Sequence, residues 1–252
     1  MAALRKNLLI VRAGEDSLHP SWIRGGRERN FDLLVSYYGA VSGKYELDGE
    51  HYHVMVGPRW PGHDSVCREN ADLIAQYDYV GFACDDLEAG LATWNDLFDG
   101  CRRYSLDLAQ PAIEGFRSYD ITRPHRGCIL RYTNFVEVMC PVFSQRALQL
   151  LKCTFGESVS GWGLSVAWWT RLTRLMADNR VAVLDCVRVR HGRPVGEGTL
   201  YATLKELGVR PGKELKHLKA RYGNEKFEPT ERSRLMSPMH AALRRIVPRL
   251  YR

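Results

Sequence analysis

An α/β fold on a mainly parallel sheet is the class this sequence predicts, and three observations predict it. Short apolar runs of strand length alternate with longer stretches of helical spacing, the pattern of βαβ units. Tyr77 to Ala83 is almost wholly apolar, as a strand covered on both faces must be. The runs ending at Arg12-Ala13-Gly14 and Cys84-Asp85-Asp86 put a glycine and paired carboxylates at strand carboxyl ends, where ligands collect in such sheets.

The elements run in order. Asn7–Arg12 reads as the first strand; Gly14 after it lets backbone approach a ligand or simply turns. Phe31–Tyr38 and His53–Val56 are strands, stopped by Gly39 and by Gly57-Pro58. Asp64–Gln76 has helical spacing with Asp64 as N-cap. After the buried strand, Leu91–Tyr104 is helical, with Trp94, Leu97 and Phe98 on one stripe. Leu106–Ala109 is a brief strand before Pro111, Tyr119–Arg126 a loop, and Ile129–Val142 mixed strand and turn. Ser144 caps a helix to Cys153, Phe155–Ser160 is a loop, and Leu164–Met176 is helical. Val181–Val189 is a late strand, and a glycine-rich loop from Gly192 to Gly198 ends the body.

Composition narrows the class. The 252 residues suffice for one large α/β domain, and 45% hydrophobic with 26% charged residues suits a soluble globular protein. No apolar run approaches the roughly 20 residues of a membrane-spanning helix, and the N-terminal apolar stretch is too short for a signal-peptide core. Seven scattered cysteines without a C-x-x-C pair argue against structural zinc and fit a reducing cytosol. From Thr203 to Arg252 there are 13 Lys/Arg and 5 Asp/Glu, so the tail carries +8 and the remainder about −1 of the net +7. A body-wide nucleic-acid face is therefore not expected. Residues 1–200 read as the catalytic domain and 201–252 as a basic, mainly helical extension. Ile246, Val247 and Leu250 among Arg244, Arg245 and Arg249 suit either a packed helix or an anionic membrane surface.

Several residue sets carry chemistry. Adjacent Asp85 and Asp86 leaving a buried strand must be solvated, paired, metal-bound or used as a helix N-cap. His191 after the late strand could join them; carboxylate oxygens with one imidazole suit Mn²⁺ or Mg²⁺ holding a diphosphate. Gly161-Trp162-Gly163 is a tight turn presenting a flat apolar face, a stacking surface or a core anchor. Glu137, set among apolar residues, is either a base with a raised pKa or a buried partner of an arginine such as Arg131. Arg12 and Arg59 can add charge-assisted contacts to phosphate.

Together these stretches resemble the domain of unknown function 707 family. The resemblance rests on Arg12 to His19, Gly57 to Pro61, Tyr77 to Leu87, Gln110-Pro111-Ala112, Phe135 to Ser144, Gly161-Trp162-Gly163, Val183-Leu184-Asp185 and His191, and covers about Asn7 to Gly198. That family looks like a member of the glycosyltransferase A group. The resemblance implies a single Rossmann-like α/β domain with a mixed, mainly parallel sheet flanked by helices, a nucleotide-sugar donor and a divalent metal. On it, Asp86 is the metal-binding acid with Asp85 beside it, facing ribose or metal-bound water, and His191 is the late ligand. Arg12, Ala13, Gly14 and Arg59 lie near the nucleotide, and Trp162 and Gly163 face the acceptor. This chain departs from the family pattern at Cys84 and Ser165, where acids are common; the first departure weakens the metal site, and the second leaves Glu137 or Glu157 as base.

The expected activity is transfer of a sugar to a glycan, polysaccharide or lipid-linked acceptor, in the cytoplasm or at the inner face of the membrane. The rivals are a non-catalytic nucleotide- or glycan-binding module and a nucleotidyltransferase.

Overall fold

A computed structural model describes residues 5–238 apart from 27 and 198. In chain order the elements are β1 (Asn7–Ala13), β2 (Phe31–Tyr37), β3 (His51–Val54), α1 (Arg59–Glu69), α2 (Ala71–Ile74), β4 (Tyr79–Cys84) and β5 (Leu87–Glu88). Then come α3 (Leu91–Arg103), β6 (Leu108–Gly115), β7 (Cys128–Thr133), β8 (Val142–Ser144), α4 (Gln145–Leu151) and α5 (Leu164–Leu175). Last are β9 (Val181–His191), α6 (Thr199–Glu206), α7 (Pro211–Arg221) and β10 (Glu231–Met236). The strands form one sheet in the order β10-β7-β9-β6-β8-β4-β1-β2-β3, with the short β5 paired to β9. The long pairings, β1 with β2 and β4 and β6 with β9, are parallel; β8, β7, β10 and β5 join antiparallel over shorter registers.

Side-chain alternation explains the layering. Every residue of β1 is buried. Leu9, Val11 and Ala13 face one core layer, and Leu8 and Ile10 face the other. The first layer is covered by α3 through Trp94, Leu97 and Phe98, the stripe expected from spacing. The second lies beneath α1, α4, α5 and α7. Its centre is an aromatic cluster in which Trp60 meets Phe155 at 4.9 Å and Trp168 at 5.2 Å between centroids.

Several elements differ from expectation for local reasons. The helix expected from Asp64 starts at Arg59, because Pro58 takes the extended N-cap conformation. Asp64 is therefore inside the helix, paired with Arg68 at 3.0 Å, and caps nothing. Strand β6 continues through Pro111 to Gly115. Its register against β9 jumps there, from Pro111↔Leu184 to Ala112↔Arg188, so β9 bulges opposite a residue that has no N–H to offer. Beyond the bulge β9 runs on to His191, which ends the strand. Ser144 caps α4 as expected, its Oγ accepting from the Ala147 N–H at 3.3 Å.

The boundary expected between residues 200 and 201 falls inside α6. The C-terminal segment packs on the body: Leu218 of α7 is fully buried in the second layer, and β10 extends the sheet beside β7. No helix among the described residues is long and apolar enough to cross a membrane. The tail positions from Arg244 to Leu250 lie outside the described residues.

Candidate active site

Parallel pairing of β1, β2 and β4 brings Gly14, Tyr38 and Asp85 to one rim, each just past a strand's carboxyl end. Asp85 Oδ2 accepts from the Gly14 N–H at 2.7 Å and lies 3.3 Å from the Tyr38 hydroxyl. A Cβ on residue 14 would sit 2.5 Å from that hydroxyl oxygen. The missing side chain of Gly14 thus admits Tyr38 rather than a ligand. Burial raises the Asp85 pKa, and one of its oxygens is spent on Gly14. Ala13 is fully buried in β1 and lines none of the cavities around the site.

Asp86 and His191 meet. The two residues of β5 come directly after Asp86, and Leu87 pairs with His191. This sets Asp86 Oδ2 at 3.3 Å from His191 Nε2. His191 Nδ1 faces the Phe116 carbonyl at 3.0 Å. A carbonyl only accepts, so Nδ1 carries a proton. Nε2 then faces a carboxylate either as the second N–H of an imidazolium or as a lone pair toward a shared cation. Burial opposes both charges. The pair more than offsets it, so the Asp86 pKa is lowered and the His191 pKa raised. Asp86 Oδ1 is buried without a protein partner.

Around this pair lie three neighbouring cavities. The largest, about 320 Å³, is walled by Arg12, Tyr38, Arg59, Arg193, Asp85, Asp86 and Glu197. A smaller one of about 100 Å³ shares Arg59, Asp86 and Arg193 and adds His191, Glu137 and Trp162. A third, about 220 Å³, shares Glu137 and Trp162 and opens toward Gly163, Ser165 and Phe227. Arg59 spans the first two; its Nη1 lies against the Cys84 sulfur, and its Nε is buried without a partner. Burial lowers its pKa, against the attraction of Asp86, Asp85 and Glu137. The Arg12 guanidinium is already committed, donating to Ser36 Oγ and the Gly57 carbonyl at 2.9 Å each. Burial draws it down to about 10, and it acts mainly by holding the Gly57 wall in place.

Glu137 sits where the second and third cavities meet. It is 3% exposed, and its Oε2 has no partner. Burial raises its pKa. Arg131 does not neutralise it, because that guanidinium pairs with Asp185. Trp162 is half-buried between the same two cavities, held in a turn that needs both flanking glycines. Gly161 has φ +85° with the Trp60 ring 2.5 Å from where a Cβ would be; Gly163 has φ +94° with Leu218 Cβ at 2.9 Å. Ser165 lines the third cavity, and its hydroxyl donates to the Val136 carbonyl at 2.6 Å. Glu157 is not brought to this cluster. It takes hydrogen bonds from Tyr222 at 3.0 and 3.1 Å, pairs with Arg221 at 3.4 Å, and lines none of the three cavities.

Sequence reasoning missed Tyr38, Arg193 and Ser118, the last of which lines the two cavities that meet at Glu137 and hydrogen-bonds to its carboxylate. Tyr38 had a signal, its place at the carboxyl end of the strand read from Phe31 to Tyr38. Arg193 and Ser118 arrive on loops whose course only the folded chain reveals.

Similar architecture occurs in solved structures. GalNAc-T7 with UDP, GalNAc and Mn²⁺ superposes with a TM-score of 0.54 at 9% identity, over 88% of this chain and 53% of that one. The fold is that of the glycosyltransferase A group. S. aureus TarS shares it, with a TM-score of 0.50 at 11% identity, over 88% of this chain and 44% of its own. The chain thus spans about half the length of these glycosyltransferase A structures. No family model matches the sequence, and no curated protein does. The likeness to domain of unknown function 707 accordingly rests on the motifs alone.

Proposed function

We propose that this chain is a nucleotide-sugar-dependent glycosyltransferase acting on a saccharide acceptor with Mn²⁺ or Mg²⁺. One observation carries the reading: Asp86 and His191, far apart in sequence, meet at 3.3 Å where a cavity lined by three arginines and three acids joins one lined by tryptophan and a buried glutamate. Among the described residues no three His, Cys, Asp or Glu side chains converge to hold a metal alone. Asp86 and His191 nevertheless fit a divalent cation that takes its remaining ligands from a diphosphate and water, as Mg²⁺ commonly does. The unpartnered Asp86 Oδ1 and the oriented His191 ring favour it. Asp85, tied to Gly14, is a rim residue rather than a ligand in this arrangement.

When bound, the cation neutralises charge on the departing diphosphate. The chain's own residues supply the rest. Arg59, held against Cys84, and the exposed Arg193 would supply the cations that pair with a diphosphate. Tyr38 and the Gly57 wall bound the nucleotide side, and Trp162 offers the acceptor a flat face. Glu137, kept proton-ready by burial, takes the proton from the attacking hydroxyl. That oxygen bonds to the anomeric carbon, and the bond to the diphosphate breaks with its electrons leaving on phosphate.

The test is turnover of a panel of nucleotide sugars, with and without oligosaccharide acceptors, read as nucleoside diphosphate release. Activity lost in Asp86→Ala supports the reading. Pyrophosphate release would instead indicate nucleotidyl transfer. A binding-only module is favoured by one feature, Arg59 lodged against Cys84 where an acid is common. Diphosphate binding without turnover on any donor would decide for it.

A further inference from the structure

The carboxylate of Glu214, on α7, grips the loop that leads into the Trp162 turn. Its oxygens accept from the Val159 N–H at 2.8 Å, the Ser160 N–H at 2.9 Å and the Ser158 hydroxyl at 3.1 Å, and from the Ser160 hydroxyl. Ser160 Oγ in turn accepts from the Trp162 N–H at 3.2 Å. Ser158 and Ser160 are nearly fully buried, so these charge-assisted bonds are shielded from water. One turn further along α7, Leu218 packs against Gly163, whose missing Cβ would lie 2.9 Å from it. A single helix therefore fixes the turn on both sides of Trp162. The same region supplies Leu215, Lys219 and Phe227 to the third cavity. Nothing in the local sequence of the turn demands such a partner some fifty residues later.

We infer that Glu214 is a positioning residue for the acceptor side: acting through Ser160, it holds Trp162 in the wall shared by two cavities, and the C-terminal segment is part of the acceptor site. The ligand class is a saccharide, stacked on Trp162. This rests on the transferase reading, but it makes a separate claim. Glu214, Ser160 and Trp162 all lie outside the cavity walled by Arg12, Tyr38, Arg59 and Asp85, so nucleotide binding there is expected to be spared when Glu214 is lost.

The experiment measures two affinities in native protein, Glu214→Ala and Glu214→Gln. One is for UDP with Mn²⁺, by calorimetry. The other is for a panel of methyl hexosides and methyl N-acetylhexosaminides, followed by the fluorine signal of Trp162 in fluorotryptophan-labelled protein and assigned with Trp162→Phe. Glu214→Ala is expected to weaken glycoside binding roughly tenfold, the scale of losing a partner that orients a site residue. UDP affinity stays within about twofold of native, and Glu214→Gln falls between. If Glu214→Ala does not fold, Ser160→Ala removes the hydroxyl that bridges Glu214 and the Trp162 N–H, leaves the Val159 and Ser160 N–H bonds to Glu214 in place, and shifts the same signal in the same sense. Unchanged glycoside affinity in the variants overturns the inference. So do equal losses in both affinities, which would make Glu214 merely stabilising. Native protein that binds UDP but no glycoside also overturns it while sparing the transferase reading. Native protein that binds neither UDP nor, in the same titration, GDP, ADP or CDP contradicts that reading, and the inference falls with it.

Discussion

Replacing Asp185 with asparagine tests how the bulged strand that carries His191 is held. Asp185 and Arg131 are each 1% exposed. The carboxylate accepts from Arg131 Nε at 2.9 Å and Nη2 at 3.0 Å, and from the His125 N–H at 2.7 Å. Removing one partner of a buried pair costs about 3–5 kcal/mol, because the surviving charge stays out of water. Asparagine keeps one accepting oxygen, which places the loss near the lower end, about 3 kcal/mol. At about 2–4 °C per kcal/mol for a chain of this size, melting falls by about 6–12 °C. Thermal and urea denaturation at pH 7 measure it. The double variant Arg131→Met, Asp185→Leu removes both charges and is expected to recover most of the loss. A melting point for Asp185→Asn within about 2 °C of native would refute the reasoning, since the pair would then contribute no more than an exposed one.

Other outcomes rest on the same structure. His19 is fully buried, and burial holds its imidazole at about 4. The unfolded chain takes up that proton first, so the stability contribution, on the order of 3 kcal/mol, is complete above pH 6.5 and is lost as the pH falls toward 4; His19→Gln flattens the stability–pH slope in that window. Gly163→Ala forces a left-handed φ on a residue with a Cβ and crowds Leu218, costing about 2–4 kcal/mol in denaturation. Arg59→Ala removes a cation from the wall beside Asp86 and lowers UDP affinity roughly tenfold by calorimetry; unchanged affinity contradicts the role given to it.

Much of the fold was legible because its signals are local. The apolar run within Asn7–Arg12 and the run into Cys84 read as buried strands, and the Trp94–Leu97–Phe98 stripe gave α3. The departures came where one residue outweighed a pattern. Pro58 started α1 early, and Pro111, read as a stop, became a bulge because β9 could yield opposite it. In the site, paired acids and a late histidine were visible as residue types, and the antiparallel β5–β9 pairing brings Asp86 and His191 together. Glu157 misled because a glutamate in a glycine-containing loop looks free; Tyr222 and Arg221, distant in sequence, claim it. Glu214 left no trace for the same reason, since its partners are backbone N–H groups and serines of a distant loop.

The central claim is that Asp86 and His191 share a cation which, with a diphosphate, completes the site. UDP titrated calorimetrically into native protein and Asp86→Ala, each with Mn²⁺ and again with chelator, tests it most directly. Native protein is expected to bind UDP at least roughly tenfold more tightly with Mn²⁺, and the variant to bind equally weakly in both. Equal affinity of native protein with and without Mn²⁺ would contradict it.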